Sequence, residues 1–221
     1  MQTVWRVGGH DKLVLFFTGW AMDENPTAHL VADDADSCTC FDYRSLETAD
    51  VARWESYQEI FLVAWSTGVW AAEQVVGKLN LPIKLAIAIN GTPTTVHDET
   101  GIPRAIFQGT YDQLSDKTMS KFQRRMVGSS SAFTAFAGIA PRRRTEDQKA
   151  ELKAILDVDF NTMSTELITW NKALVGTADA IFPPQNQLRY WAGRCEIVEL
   201  ELPHFPFFYF KSWTMICQSV L

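Results

Sequence analysis

Cysteine is scarce in this chain: four residues in 221, at positions 38, 40, 195 and 217. A single residue separates Cys38 from Cys40, and no histidine stands beside them at metal-binding spacing. A disulfide-stapled scaffold and a Cys–His zinc module are thereby excluded, and the thiols are expected to be buried and inert. Positive charge is in deficit, with 20 Lys and Arg against 26 Asp and Glu and a net charge of −6. The overall field opposes nucleic acid and anionic membranes, although it leaves room for a local basic patch. Long hydrophobic runs are missing as well. The opening residues MQTVWR lack the apolar stretch of a secretion signal. The longest apolar runs, near 13–17, 60–65 and 85–89, are far too short to span a bilayer. A cytoplasmic protein with no membrane partner and no nucleic-acid partner is expected. There is no internal repeat and no low-complexity tract.

What is present fits an ordinary folded domain. Apolar residues make up 47% and charged residues 21%, so intrinsic disorder is excluded. Eight Trp and 14 Phe raise the aromatic share to 12%, suited to a ring-rich core and to an apolar ligand pocket.

Short apolar runs alternate with helix-like stretches. Strands are predicted at 12–17 (KLVLFF), 38–43 (CTCFDY), 59–65 (EIFLVAW), 84–89 (KLAIAI), 171–175 (NKALV) and 195–200 (CEIVEL). Their runs are continuous rather than alternating, as in strands covered on both faces. A helix is predicted over 69–79, with Val69, Ala72, Val76 and Leu79 on one stripe. Strand–helix alternation of this kind predicts an α/β fold, a mostly parallel central sheet with helices on both faces. Gly8-Gly9-His10 reads as a hairpin turn, and Ala105-Ile106-Phe107 as a short extra strand. Residues 113–169 break the rhythm with helices and loops, and are expected to form a small helical cap inserted into a single domain spanning 1–221. Within that stretch Gly128-Ser129-Ser130-Ser131 reads as a turn, and Thr145 as the cap of a following helix.

Ala64-Trp65-Ser66-Thr67-Gly68 lies where the clearest strand meets the clearest helix. G-x-S-x-G at such a junction is a nucleophile elbow, and here Ala64 stands in the first glycine's place. The tight turn would lift the Ser66 hydroxyl above the sheet and direct the Thr67 N–H, at the helix N-terminus, towards a developing oxyanion. The competing reading makes Ser66 a plain helix N-cap.

A nucleophilic serine needs a base and an acid behind the base. Of the four histidines, His10, His29 and His97 precede or lie far from the last strand, whereas His204 follows it in Leu202-Pro203-His204. That is the ligand-binding end of a parallel sheet and agrees with the hydrolase order Ser…Asp/Glu…His. Asp179 follows the penultimate strand and is the favoured acid. Asp112, after the extra strand, is the competitor. The second oxyanion donor is expected from the loop after the first core strand, Thr18-Gly19-Trp20-Ala21-Met22-Asp23, with the Trp20 N–H as candidate.

With these residues in place the chain resembles the BioG family of pimeloyl-ACP methyl ester carboxylesterases, within the α/β-hydrolases. The resemblance is carried by residues 15–23 (LFFTGWAMD), 62–72 (LVAWSTGVWAA), 90–93 (NGTP), 102–110 (IPRAIFQGT), 179–187 (DAIFPPQNQ) and 202–204 (LPH). It departs from the family pattern at Ala64 and Ala21, where glycine is expected. The resemblance implies an α/β-hydrolase fold and a Ser66–His204–Asp179 triad. It also implies a substrate ester carried on acyl carrier protein in biotin precursor synthesis, and no cofactor or metal. An acidic carrier protein calls for a basic docking surface. Lys121, Arg124 and Arg125 together with Arg142, Arg143 and Arg144 are the densest positive clusters, all inside the expected cap. Two alternatives stay open: a general esterase or thioesterase, and a catalytically silent hydrolase-fold binding protein.

Overall fold

Runs of Val, Ile, Leu, Phe and Ala bury best as central strands covered on both faces, and they set the architecture here. The computed structural model describes residues 1–219. Seven strands form one sheet: β1 (Gln2–Arg6), β2 (Lys12–Phe17), β3 (Asp36–Phe41), β4 (Glu59–Trp65), β5 (Ile83–Ile89), β6 (Lys172–Gly176) and β7 (Glu196–Leu200). Their order is β1-β3-β2-β4-β5-β6-β7. β1 is antiparallel to β3, and every other pair is parallel. The carboxyl halves of β2, β4 and β5 and the whole of β6 are buried at consecutive positions. Helices connect the strands: α1 (Val51–Trp54), α2 (Thr67–Val76), α3 (Arg104–Asp112), α4 (Asp116–Val127), α5 (Ser130–Ala137), α6 (Thr145–Leu156), α7 (Pro184–Trp191) and α8 (Trp213–Ser219). Four of them, α3–α6, lie between β5 and β6. No helix among the described residues is long and apolar enough to cross a membrane.

The core strands fall where the apolar runs predict them, with shifts at their ends. The strand expected at 38–43 is Asp36–Phe41, and the helix expected to reach Leu79 ends at Val76, before Gly77. Three expectations are corrected. Ala105-Ile106-Phe107 belongs to α3, not to a strand. Pro103 precedes the helix with φ −53°, and Asp98 Oδ1 accepts the Arg104 N–H at 2.9 Å, so the first turn is capped from outside. Three apolar residues are too few to reveal a period. The turn at Gly8-Gly9-His10 is no hairpin, because β3 separates β1 from β2; Asp36 Oδ1 instead accepts the Gly8 and His10 N–H groups at 2.9 and 3.1 Å. β1 itself was hidden in the sequence: it is an edge strand, only half-buried, with Trp5 under the Arg53 guanidinium. Finally, Thr145 is the first residue of α6 rather than its cap. The turn at 128–131 does form: Gly128 ends α4 at φ +80°, and the Ser129 side chain caps α5. Cys38, Cys40 and Cys217 are buried, while Cys195 is half-buried.

Candidate active site

The sheet is built outwards in two directions, from β2 to β3 and from β4 through β5 and β6 to β7. The carboxyl ends of such diverging strands leave a crevice, the usual ligand site of open α/β sheets. Phe17 pairs with Ala64 at that point, so residues 18–23 and Ser66 flank one crevice.

β4 becomes α2 across a single residue. Ser66 takes φ +57° and ψ −126°, a conformation that costs an L-residue on the order of 1–3 kcal/mol and persists only under constraint. The constraint is visible. The Ser66 N–H donates to Ile89 O at 2.9 Å, and the Val69 N–H donates to Ser66 O at 3.1 Å. A Cβ on Gly68 would lie 2.3 Å from Thr18 O and 2.4 Å from Phe17 O, so only glycine lets the first turn of α2 sit against the end of β2. Ala64 is fully buried within β4, and the elbow forms with its methyl group in place.

Ser66 Oγ lies 3.0 Å from His204 Nε2, and His204 Nδ1 lies 2.7 Å from Asp179 Oδ2. With the carboxylate accepting at Nδ1–H, Nε2 is left to accept from the serine hydroxyl. All three side chains are buried. Asp179 Oδ1 also accepts the Ile181 and Phe182 N–H groups, both at 2.8 Å, and Oδ2 accepts from Gln187 Nε2 at 3.2 Å. The fold thus brings together Ser66, Asp179 and His204, the three residues expected from the sequence. Asp112 does not join them. It is exposed at the end of α3 and accepts from Gln108 on the same helix. His29 and His97 are held elsewhere, the first against Phe207 O and the second by the Thr100 hydroxyl.

Sequence reasoning missed the residues that hold the histidine loop. Asn90, wholly buried, donates from Nδ2 to Pro203 O and His204 O, both at 3.0 Å, and accepts the Gly176 N–H at 2.7 Å. The Trp65 indole donates to His204 O at 2.8 Å, and its ring packs 5.3 Å from the imidazole. Asn90-Gly91 reads in sequence only as a strand end. A polar residue placed right after an apolar strand at the carboxyl edge was the signal available.

Trp20 and Thr67 both border the crevice with Ser66 and His204. Their backbone N–H groups donate to no protein acceptor among the described residues. The Trp20 indole is engaged elsewhere, donating to Gln148 O on α6 at 2.7 Å. Gly19 lies against the elbow: a Cβ there would come 3.2 Å from Ser66 Cβ. Most of the remaining pocket wall is apolar, with Ile102, Phe107, Phe122, Met126, Leu152 and Ile181, and Thr110 and Arg125 complete it. Ile106, Thr110, Phe122 and Arg125 also line an outer groove that Lys121 borders, so the pocket leads outwards between α3 and α4.

Of the arginines expected to dock a carrier, Arg124, Arg125, Arg142 and Arg144 are exposed. Arg143 is a correction. Its side chain is only 8% exposed, 2.6 Å from Glu151 Oε2 and 3.0 Å from Asp42 Oδ1, so it is consumed by an internal ion cluster. Of the three consecutive arginines the middle one points inwards, to these two carboxylates. Burial pushes the Glu151 carboxyl up, against the opposing pull of Arg143 and the amides of Tyr43 and Ala21.

The sheet order, the strained serine turn and the histidine after the last strand define an α/β-hydrolase. A family model described as pimeloyl-ACP methyl esterase BioG matches residues 1–216. The chain belongs to the BioG family. It is similar to a crystal structure of BioG from Haemophilus influenzae, with 36% identity and a TM-score of 0.90, covering 99% of this chain and 100% of that one. It is 48% identical over 188 residues to a malonyl-[acyl-carrier protein] O-methyltransferase of Bacteroides fragilis. The match takes in 85% of this chain, and the chain spans 38% of that relative's length. An esterase from Exiguobacterium antarcticum shares the fold, at a TM-score of 0.68 and 13% identity, covering 91% of this chain and 87% of its own.

Proposed function

We propose that this protein is a serine carboxylesterase that hydrolyses the methyl ester of pimeloyl-acyl carrier protein. The observation that carries the reading is the line of contacts from Ser66 Oγ to His204 Nε2, 3.0 Å, and from His204 Nδ1 to Asp179 Oδ2, 2.7 Å, at an elbow in a BioG chain. His204 removes the Ser66 proton as Oγ attacks the ester carbonyl, and Asp179 stabilises the imidazolium. The N–H groups of Trp20 and Thr67 receive the oxyanion; such donors are worth roughly 3 kcal/mol each. His204 then protonates methoxide, methanol leaves, and an acyl-Ser66 ester remains. Water, deprotonated by His204, attacks that ester; the acyl–Oγ bond breaks, Ser66 Oγ takes the proton back from His204, and the free carboxylate leaves. The sequence needs no metal or organic cofactor.

The carrier-bound substrate is supported by the family description and by the name of the B. fragilis relative, both of which concern acyl groups on acyl carrier protein. In this reading residues 113–169 act as the cap of a single domain spanning the chain. The acyl chain runs along the apolar wall, and the pantetheine arm leaves through the groove between α3 and α4. Lys121 and Arg125 at that groove, with the exposed Arg124, Arg142 and Arg144, meet the acidic carrier in the cytoplasm. The test is hydrolysis of methyl-pimeloyl carrier protein, followed by methanol release and by the mass of the carrier. Wild type should release methanol and leave the carrier thioester intact, and Ser66→Ala should not. Release of the acyl group from the carrier by thioester cleavage would contradict the ester assignment.

A further inference from the structure

The strand loop expected to supply the Trp20 N–H is fastened to α6 rather than to the sheet alone. Ala21 adopts φ +68°, a left-handed conformation that an L-residue enters at a cost of about 1–2 kcal/mol. Both peptide groups beside it are held from α6 or its leading segment. The Ala21 N–H donates to Glu151 Oε2 at 3.2 Å, and Ala21 O accepts from Gln148 Nε2 at 3.2 Å. Arg143 Nη1 donates to Met22 O at 3.2 Å and to Glu151 Oε2 at 2.6 Å. The Trp20 indole donates to Gln148 O at 2.7 Å. On the far side, Glu151 Oε1 accepts the Tyr43 N–H at 2.9 Å, while the Tyr43 hydroxyl donates to Thr18 O at 2.8 Å. Gln148 and Glu151 are three residues apart and so share one face of the helix. Both are buried.

We infer that Glu151, paired with Arg143 and assisted by Gln148, is a positioning residue that holds the Trp20–Ala21 backbone in the orientation that receives the oxyanion. This rests on the esterase reading above. The Trp20 N–H is free, while the indole on its own residue and the next peptide N–H are both tied down. The peptide that carries it is braced inside the loop, where Gly19 O accepts from the Thr18 hydroxyl at 3.2 Å and from the Met22 N–H at 3.4 Å, and groups of α6 hold the two peptides that follow. A buried carboxylate this close to the site would oppose an oxyanion if it stood alone, and the Arg143 guanidinium at 2.6 Å neutralises it. A plain structural staple would need the contacts but would not set the direction of a catalytic dipole.

The experiment compares wild type, Glu151→Gln, Gln148→Met and Ser66→Ala on a small soluble methyl ester, with active sites titrated and the assay run well below each melting midpoint. It also measures inhibition by a trifluoromethyl ketone, whose serine adduct carries the oxyanion. Glu151→Gln should lower kcat by about 10- to 100-fold, less than outright loss of a donor. KM should stay within about twofold, and ketone affinity should fall in parallel with kcat/KM. Gln148→Met removes one bond and should lower kcat by about 3- to 10-fold, which keeps the test alive if Glu151→Gln does not fold. Lowered melting midpoints with unchanged kcat and unchanged ketone affinity in both variants would overturn the positioning role. That result, alongside an inert Ser66→Ala, would leave the esterase reading standing. Full activity in Ser66→Ala would overturn both.

Discussion

The carboxyl edge of the sheet and the helical segment between β5 and β6 contribute to the same pocket by different physics. At the sheet edge, each side chain of the proposed triad sits on the loop that follows a strand: Ser66 after β4, Asp179 after β6 and His204 after β7. Their positions follow from the ladder, and Asn90 ties the end of β6 to the turn after β7 through three hydrogen bonds. Helices α3, α4 and α6 present mainly apolar side chains to the pocket. They place Phe107, Phe122, Met126 and Leu152 over Ser66, and Arg125 at the outer groove. In the proposed function the sheet edge carries the chemistry, and the helical segment supplies shape, charge and the hold on the Trp20 loop.

The sharpest way to break this division is Asp179→Asn. The amide keeps the shape but presents the wrong hydrogen-bond pattern to His204 Nδ1, so kcat should fall by about 10⁴-fold on carrier-bound and small esters alike. Steady-state kinetics with both substrates checks it, and a loss confined to the carrier-bound ester would contradict the division. Asn90→Ala comes next. It leaves Pro203 O and the Gly176 N–H without a partner, while His204 O keeps the Trp65 indole, and should destabilise the fold by about 2–4 kcal/mol while lowering activity on both esters. Denaturant titration measures the first effect. On the insertion side, Lys121→Ala with Arg125→Ala should raise KM for the carrier-bound ester by about 3- to 10-fold, since exposed charge contacts are modest, and spare a small ester. Equal losses on both substrates would show that these residues shape the pocket and do not dock a carrier.

The smallest expected effect concerns the ion cluster that joins α6 to the sheet. Burial would raise the Asp42 carboxyl, but the Arg44 hydrogen bond and the nearby Arg143 bring it below the usual carboxylate value. A carboxyl depressed in the folded state stabilises the fold above its unfolded pKa, and that contribution is lost as pH falls through the folded value. Melting midpoints recorded from pH 5 downwards should decline less steeply in Asp42→Asn than in wild type.

The two regions also differ in how far the sequence discloses them. Uninterrupted runs such as KLVLFF and EIFLVAW announce buried strands, and a serine at the end of such a run marks the elbow. Chain order then leads to His204 and Asp179, because parallel topology dictates which strand ends converge. In the insertion the code is weaker. Ala105-Ile106-Phe107 is too short to show its period, so a helix reads as a strand. Arg142, Arg143 and Arg144 look alike in sequence, yet Arg143 turns inwards because Glu151 and Asp42 wait there, 8 residues ahead and about 100 behind in the chain. β1 escapes notice because an edge strand, only half-buried, has no continuous apolar run. Asn90 and Glu151 escape because the backbone groups they hold lie dozens of residues away.

The account rests most heavily on the serine at the elbow being activated by the histidine beside it. Its most direct test is labelling with a fluorophosphonate, followed by peptide mapping, on wild type and His204→Ala. The account predicts a single stoichiometric adduct on Ser66 in wild type and labelling slowed by several orders of magnitude in the variant. An unlabelled Ser66 in folded wild type, or equally rapid labelling without the imidazole, would contradict it.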